Sequence, residues 1–387
     1  MNRILNKLKK LLKISLKDLF ETDQINLIRN INYQNGLDTQ QKVLISYTTN
    51  IFYSDLDKGL GRTIPYEMIE IIKVFSNLNY CIDIIDCRDI SKIIYIKNVS
   101  YDLILGFGEV FYRMVNLQPR AISILYMTEH HPDFSLAQEN LRNQYFFERK
   151  KKRVTISRSG RFYKPAHVQK KYDHIITMGE TEPFAKQYEV IHTIFPTGII
   201  NKSFVFSTKD HSTTRKHFLW LGSTGFVHKG LDLLLDVFKD RDDIYLHICG
   251  LSENERKFIN IPNQPNIIDY GHIDIHSAIF LDIVRNCTFI ILPSCSEACS
   301  TGIATGMLHG LLPIVMKNAG FNRLYDKAIF LADFKIPYLT TELIDISNSD
   351  PNELQLKSES IFNWANNTFI LSQFHNNFKL IIDKILC

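Results

Sequence analysis

The chain has 387 residues, 45% hydrophobic and 22% charged, with a formal net charge of +4. Such a composition belongs to a soluble globular protein, and the length suits two domains with separate cores. No uninterrupted apolar run approaches the roughly 20 residues that span a bilayer, and the seven cysteines are scattered without a CxxC pair, which reads as reduced thiols in a cytoplasmic setting.

The first predicted element is a basic amphipathic helix, "MNRILNKLKKLLKISLKDLF", with six Lys/Arg against one acid. Ile4, Leu5, Leu8, Leu12, Leu16 and Leu19 recur at helical spacing. Its lysines interrupt any signal-peptide core. Two readings stay open: a helix packed on the domain with its lysines in solvent, or a helix that meets an anionic membrane surface. Strand-like runs then alternate with helical ones. "KVLISYTT" (42–49) leads through a glycine-bearing loop to a helix near Pro65 and on to "YCIDIIDC" (80–87). "YDLILGFG" (101–108), "AISILYMTE" (121–129), a helix from about Ser135 and "YDHIITMG" (172–179) follow. Before the last of these lies "RKKKRVTISRSGRFYKPAHVQKK" (149–171), with ten Lys/Arg and no acid, which predicts an anionic partner. No nucleic acid is expected there, because the run lacks interleaved aromatic platforms and no DNA-binding motif accompanies it.

After the polar segment 201–216 the pattern restarts. "HFLWLGS" (217–223), a helix "KGLDLLLDVFKD", "IYLHICG" (244–250) and "NIIDYGH" (266–272) come in turn. A helix "HSAIFLDIVRN", the strand "TFIILPS" (288–294), a glycine-bearing helix and the strand "LLPIVM" complete the alternation, and the C-terminal stretch reads as helices. Short apolar strands alternating with helices predict an α/β chain of two doubly wound, Rossmann-like parallel-sheet domains. Such domains face a cleft at the carboxyl ends of their strands.

Two places in the second half carry chemistry. Helix starts after parallel strands present unpaired amides and a positive dipole end, which suit phosphate, and Lys229 adds a full charge at one of them. The other is "SEACSTGIATGMLHGLLPIV", where Glu297 is the lone acid and Gly302, Gly306 and Gly310 recur every fourth residue. A carboxylate is repelled by a diphosphate but accepts from neutral hydroxyls, so lysine and glutamate together describe a site for a sugar nucleotide. The glycines fit a helix packed closely on the sheet. Cys295, Cys299 and His309 match no zinc spacing and read as packing.

From about Phe218 to Val315 the chain resembles the donor domain of GT-B fold glycosyltransferases of the family 4 type. The resemblance rests on "WLGSTGFVHKGLDLLLDVF", "ICG", "IIDYGHI" and "PSCSEACSTGIATGMLHGLLPIV". It implies that Lys229 holds the donor phosphates and Glu297 addresses the donor sugar. The backbone of Ala298, Cys299, Ser300 and Thr301 would cradle the donor. Two positions depart from the family: Thr305 stands where a second acid grips the ribose, and Ser223 where an arginine pairs with the lysine. In the first half, Gly59, Gly61 and Arg62 fall where the family has a glycine-rich loop facing the phosphates. His130, in "YMTEHHPDF", matches a family active-site histidine, with His131 the neighbouring alternative.

The implied organisation is an acceptor-side domain over 1–200, a donor domain over 201–365 and a C-terminal helix over 366–387 packing back on the first domain. The implied activity is transfer of a sugar, with retention, from a nucleotide-sugar donor to a glycan or lipid-linked acceptor. No cofactor or metal is expected. The expected location is cytoplasmic, or peripheral on the inner face of the membrane. A sugar-nucleotide epimerase and a non-catalytic sugar-nucleotide-binding scaffold remain as alternatives.

Overall fold

The expected alternation builds two sheets in a computed structural model. It describes residues 26–34, 40–52, 63–155, 162–164, 172–186, 188–317 and 319–387. The helix expected over 1–20 lies outside the described residues, as do Gly59, Gly61, Arg62 and most of the second basic run beyond residue 155. In the first sheet the strands are β1 (Leu27–Ile31), β2 (Lys42–Tyr47), β3 (Cys81–Asp86), β4 (Leu103–Gly106), β5 (Ile122–Met127), β6 (His174–Thr177) and β7 (Ile191–Thr193). Their order is β1-β3-β2-β4-β5-β6-β7, parallel throughout except for β1. The second sheet holds β8 (His217–Leu221), β9 (Tyr245–Cys249), β10 (Ile267–Gly271), β11 (Phe289–Leu292), β12 (Leu312–Met316) and β13 (Ile329–Leu331). Its order is β10-β9-β8-β11-β12-β13, and every pairing is parallel. The central strands are covered on both faces, which is why they read as unbroken apolar runs. β1, β7 and β13 went unforeseen: all three are short edge strands, β1 and β7 of mixed polarity and β13 only three residues long.

The helices are α1 (Ile64–Asn77), α2 (Gly108–Leu117), α3 (Pro132–Lys150), α4 (His211–Thr214), α5 (Leu231–Phe238), α6 (Glu253–Phe258), α7 (Ala278–Asn286), α8 (Thr301–Met307), α9 (Ile336–Ser347), α10 (Pro351–Asn366) and α11 (Leu371–Leu386). α3 begins three residues before the expected Ser135, because Pro132 fits the first turn and the His131 side chain accepts from Asp133 N. α11 returns to the first domain. Phe374, Phe378 and Ile382 enter its core, and Phe378 meets Phe75 of α1 edge-on at 6.1 Å. Each such side chain contributes about 1.5–3 kcal/mol on burial, so the crossing helix is held firmly.

α3 makes the opposite crossing. It follows β5 of the first sheet, yet Phe146 joins the core of the second domain. The connecting segment between the sheets is pinned residue by residue. Thr197 N and Oγ1 donate to Glu67 of α1 at 2.6 and 2.7 Å, and Gly198 N donates to Phe369 O at 2.9 Å. Ile199 N donates to Thr305 Oγ1, and Asn201 N to His309 Nε2, each at 3.1 Å. Among the described residues no helix is long and apolar enough to cross a membrane.

Candidate active site

β8 and β11 are neighbours at the point where the strand order of the second sheet reverses. The loop after β8 is shaped by its own strand: buried Trp220 donates its indole N–H to Lys229 O at 3.2 Å. Lys229 N donates to Gly225 O at 2.8 Å, while Glu255 of α6 accepts from Gly225 N and Phe226 N at 2.6 and 3.1 Å. This folded loop delivers Lys229, which is only 5% exposed, to the end of β11. Its Nζ lies 2.6 Å from Glu297 Oε1, and the same oxygen accepts from Ser294 Oγ at 2.9 Å. The two residues expected to hold phosphate and sugar are thus each other's counter-ion. A buried ammonium without a partner carries a large desolvation cost, and the carboxylate offsets it.

Glu297 is fixed through its backbone as well. Its N–H donates to Ala319 O at 2.6 Å. At Gly320 (φ +102) a Cβ would stand 1.5 Å from Glu297 O and 3.3 Å from His130 Cδ2, so only glycine lets this segment run between them. His130 therefore comes from the end of β5 to the Glu297 turn. It is 3% exposed and lies against Phe134 with ring centroids 4.1 Å apart. Neither ring nitrogen has a hydrogen-bond partner, and burial lowers its pKa to about 4, so the imidazole is neutral at pH 7.

After Glu297, Ala298 packs against Gly179 of the first domain, and Cys299 takes a left-handed conformation at φ +62. For a non-glycine residue that costs about 1–2 kcal/mol, and the strain sits in the turn that opens α8. Ser300 caps the helix, its Oγ accepting from Gly302 N at 3.2 Å, and half-exposed Thr301 begins it. Gly302 and Gly306 bring α8 onto the sheet, against Leu221 O and the Ile290 side chain.

Lys229, Glu297, His130 and Ala298 are brought together; two other expected residues stand differently. Ser223 is exposed in the loop after β8. Thr305 is buried, and its hydroxyl accepts from the connecting segment at Ile199 N. Cys295 and Cys299 are both buried. His309 is satisfied locally, with Nδ1 on Thr305 O at 2.7 Å and Nε2 accepting from Asn201 N. Sequence reasoning missed the polar groups that join the domains at this site. Ser135 Oγ meets Ser296 Oγ at 2.7 Å, and Arg142 Nη1 donates to Pro293 O at 2.9 Å. Glu180 accepts from Gly320 N at 3.1 Å, and Arg323 donates to Met178 O and Ile194 O, each at 3.0 Å. Arg149 and Lys150 pair with Asp232 and Asp236 of α5, so the first members of the basic run serve the domain seam.

No protein-family model and no curated protein matches the chain. Solved structures do. Sucrose-phosphate synthase from Thermosynechococcus elongatus is 11% identical, with a TM-score of 0.59 over 90% of this chain and 99% of that one. Anabaena HepE in complex with UDP and glucose is 12% identical, with a TM-score of 0.57 over 89% and 100%. WaaG, a glycosyltransferase involved in lipopolysaccharide biosynthesis, is 13% identical, with a TM-score of 0.56 over 88% and 99%. The fold is GT-B. In this GT-B chain the Lys229–Glu297 pair belongs to the C-terminal domain, His130 to the N-terminal one, and the site lies where the two meet.

Proposed function

We propose that the chain is a glycosyltransferase that moves a sugar from a nucleoside-diphosphate donor to a hydroxyl of a glycan or lipid-linked acceptor. The supporting observation is the buried Lys229–Glu297 ion pair at the end of β8 and β11, with a neutral histidine from the other domain against the same Gly320 segment that packs on the Glu297 carbonyl. A diphosphate would draw Lys229 from Glu297 and leave the carboxylate free to accept from sugar hydroxyls. HepE, with the same fold, is seen with UDP-glucose, which makes uridine nucleotides the first probes.

In the proposed reaction the acceptor oxygen bonds to the anomeric carbon as the bond from that carbon to the phosphate oxygen breaks. The acceptor proton passes to the departing phosphate on the same face, giving retention. Lys229 meets the charge that develops on the phosphate, Glu297 and His130 orient the sugar, and neither metal nor cofactor is invoked. Cell-surface polysaccharide or glycolipid synthesis is the proposed setting, with the basic segment 1–20 and the rest of the second basic run, 151–171, meeting an anionic membrane from the cytoplasmic side. Salt-sensitive co-sedimentation with acidic vesicles tests that placement.

A thermal-shift screen of nucleotides and nucleotide sugars tests the donor, since a ligand at 100 times its Kd stabilises by about 2.7 kcal/mol. Product analysis with and without acceptor then separates transfer from epimerisation. A second reading, a scaffold that binds the donor without consuming it, is favoured by the Thr305 hydroxyl being committed to Ile199. Binding without turnover would select it.

A further inference from the structure

A histidine that no family expectation singles out stands between the domains, one residue before Lys229. His228 is 5% exposed, and its Nε2 lies 2.7 Å from Ser296 O, the carbonyl directly before Glu297. Its Nδ1 faces Cys295 Sγ at 3.5 Å and Glu139 Oε1 of α3 at 3.7 Å. Glu139 is itself 1% exposed. The backbone doubles the link, because Cys295 N donates to His228 O at 2.8 Å. α3 touches the two loops on successive turns, through Ser135 on Ser296 and Arg142 on Pro293 O after β11, and Glu139 on His228 after β8.

We infer that His228 is a positioning residue for Glu297, tying Glu139 of the first domain to the Ser296 carbonyl so that seating α3 and setting the carboxylate are one event. The inference rests on the glycosyltransferase reading for its catalytic consequence, but the tie itself does not. A carbonyl only accepts, so Nε2 carries a proton. In a neutral ring Nδ1 would then be an acceptor, which the Cys295 S–H can meet but the Glu139 carboxylate opposes; in the cation it donates, and the opposition to Glu139 disappears. The facing groups agree with a cation. From α3 come Glu139 and, further along, Arg142, which is turned to Pro293 O. From the loop after β11 come Cys295 and Glu297, and from the loop of His228 itself comes Lys229, neutralised by Glu297. Burial by itself would lower the pKa, and the Cys295 sulfur together with Glu139 and Glu297 outweighs it, raising the pKa to about 9.

The test uses the full chain with histidine labelled in its ring for NMR, the His228 signal being assigned by its loss in His228→Gln. The parent should keep this ring protonated at pH 7 and titrate it near pH 9. In Glu139→Gln, which keeps the shape and removes the charge, the titration should fall by roughly 1–3 pH units. A ring that is neutral at pH 7 in the parent, or a titration indifferent to Glu139, overturns the tie. In turnover of the donor found by the nucleotide-sugar screen, kcat of the parent should fall above about pH 9 as the ring deprotonates, and Glu139→Gln should move that fall to lower pH. In His228→Gln the amide can still donate to Ser296 O but cannot titrate, so the fall should vanish while KM for the donor changes little. A fall unchanged in Glu139→Gln refutes the positioning role even where His228→Gln does not fold. If the parent turns over no donor, the glycosyltransferase reading has failed, and the NMR titration decides the tie alone.

Discussion

At the scale of single residues, the pairing of Lys229 with Glu297 makes the two side chains opposed in their effects on nucleotide binding. Lys229→Ala leaves a buried carboxylate without its counter-ion, which for such pairs costs about 3–5 kcal/mol of stability. It should also weaken nucleoside diphosphate binding by about 1.5–3 kcal/mol, the worth of a charged hydrogen bond. Glu297→Gln does the reverse for the nucleotide: the ammonium is released from its partner, so a nucleoside diphosphate should bind more tightly, by about 1 kcal/mol. Sugar transfer should nevertheless drop, roughly ten- to hundredfold, because the acceptor for the sugar hydroxyls is changed. Calorimetric titration beside a transfer assay measures both, and equal or weaker nucleotide affinity in Glu297→Gln would contradict the competition. The two residues were legible in the sequence because each sits in a recognisable strand–loop context. Their contact was not, since 68 residues separate them and no local pattern encodes the meeting. Ser294, which steadies the same carboxylate oxygen, had no signal beyond being a serine after a strand.

At the scale of elements, α8 and the connecting segment explain the threonine that stands where an acid was expected. Thr305 is 3% exposed, and a Cβ on Gly198 would lie 2.9 Å from Thr305 N, so the segment runs tightly along the helix. Thr305→Val should cost about 1 kcal/mol or more by leaving the half-buried Ile199 N unpaired, read by denaturant unfolding. Thr305→Glu should likewise destabilise, because the added atoms meet the connecting segment; a stable variant with tighter nucleotide binding would show room for a ribose contact instead. The strands other than β1, β7 and β13, and most helices, were legible, since their apolar runs are unbroken and bounded by turn residues. The placement of α3 was not. Its buried face carries Ser135, Glu139 and Arg142 while Leu136, Leu141 and Phe147 are exposed, so apolar periodicity gives no hint that this helix seats on the other domain.

At the scale of the whole molecule, buried histidines add to the loss of stability expected in acid. Burial lowers His130, His247 and His309 to about 4, below the ordinary value near 6.5. Each therefore contributes stability that is present above pH 6.5 and lost as the pH falls toward 4, because the unfolded chain takes up protons the folded one refuses. His228 has the opposite sign: its contribution is complete below pH 6.5 and is lost as the pH rises through about 9. His247→Gln should reduce proton uptake on unfolding by about one near pH 5, seen as a shallower fall of Tm with acid; an unchanged slope would mean that ring titrates normally. The two-domain architecture was legible from the restart of the strand pattern at His217, whereas the closeness of the domains at Glu297, Gly320 and His130 depends on contacts between distant loops. The most direct measurement of the central claim is calorimetric titration of uridine, guanosine, adenosine and thymidine diphosphates into the parent and into Lys229→Ala. At least one should bind the parent and lose about 1.5–3 kcal/mol of affinity in the variant. Failure of all four to bind the parent, or binding that ignores Lys229, would contradict a donor site at this cleft.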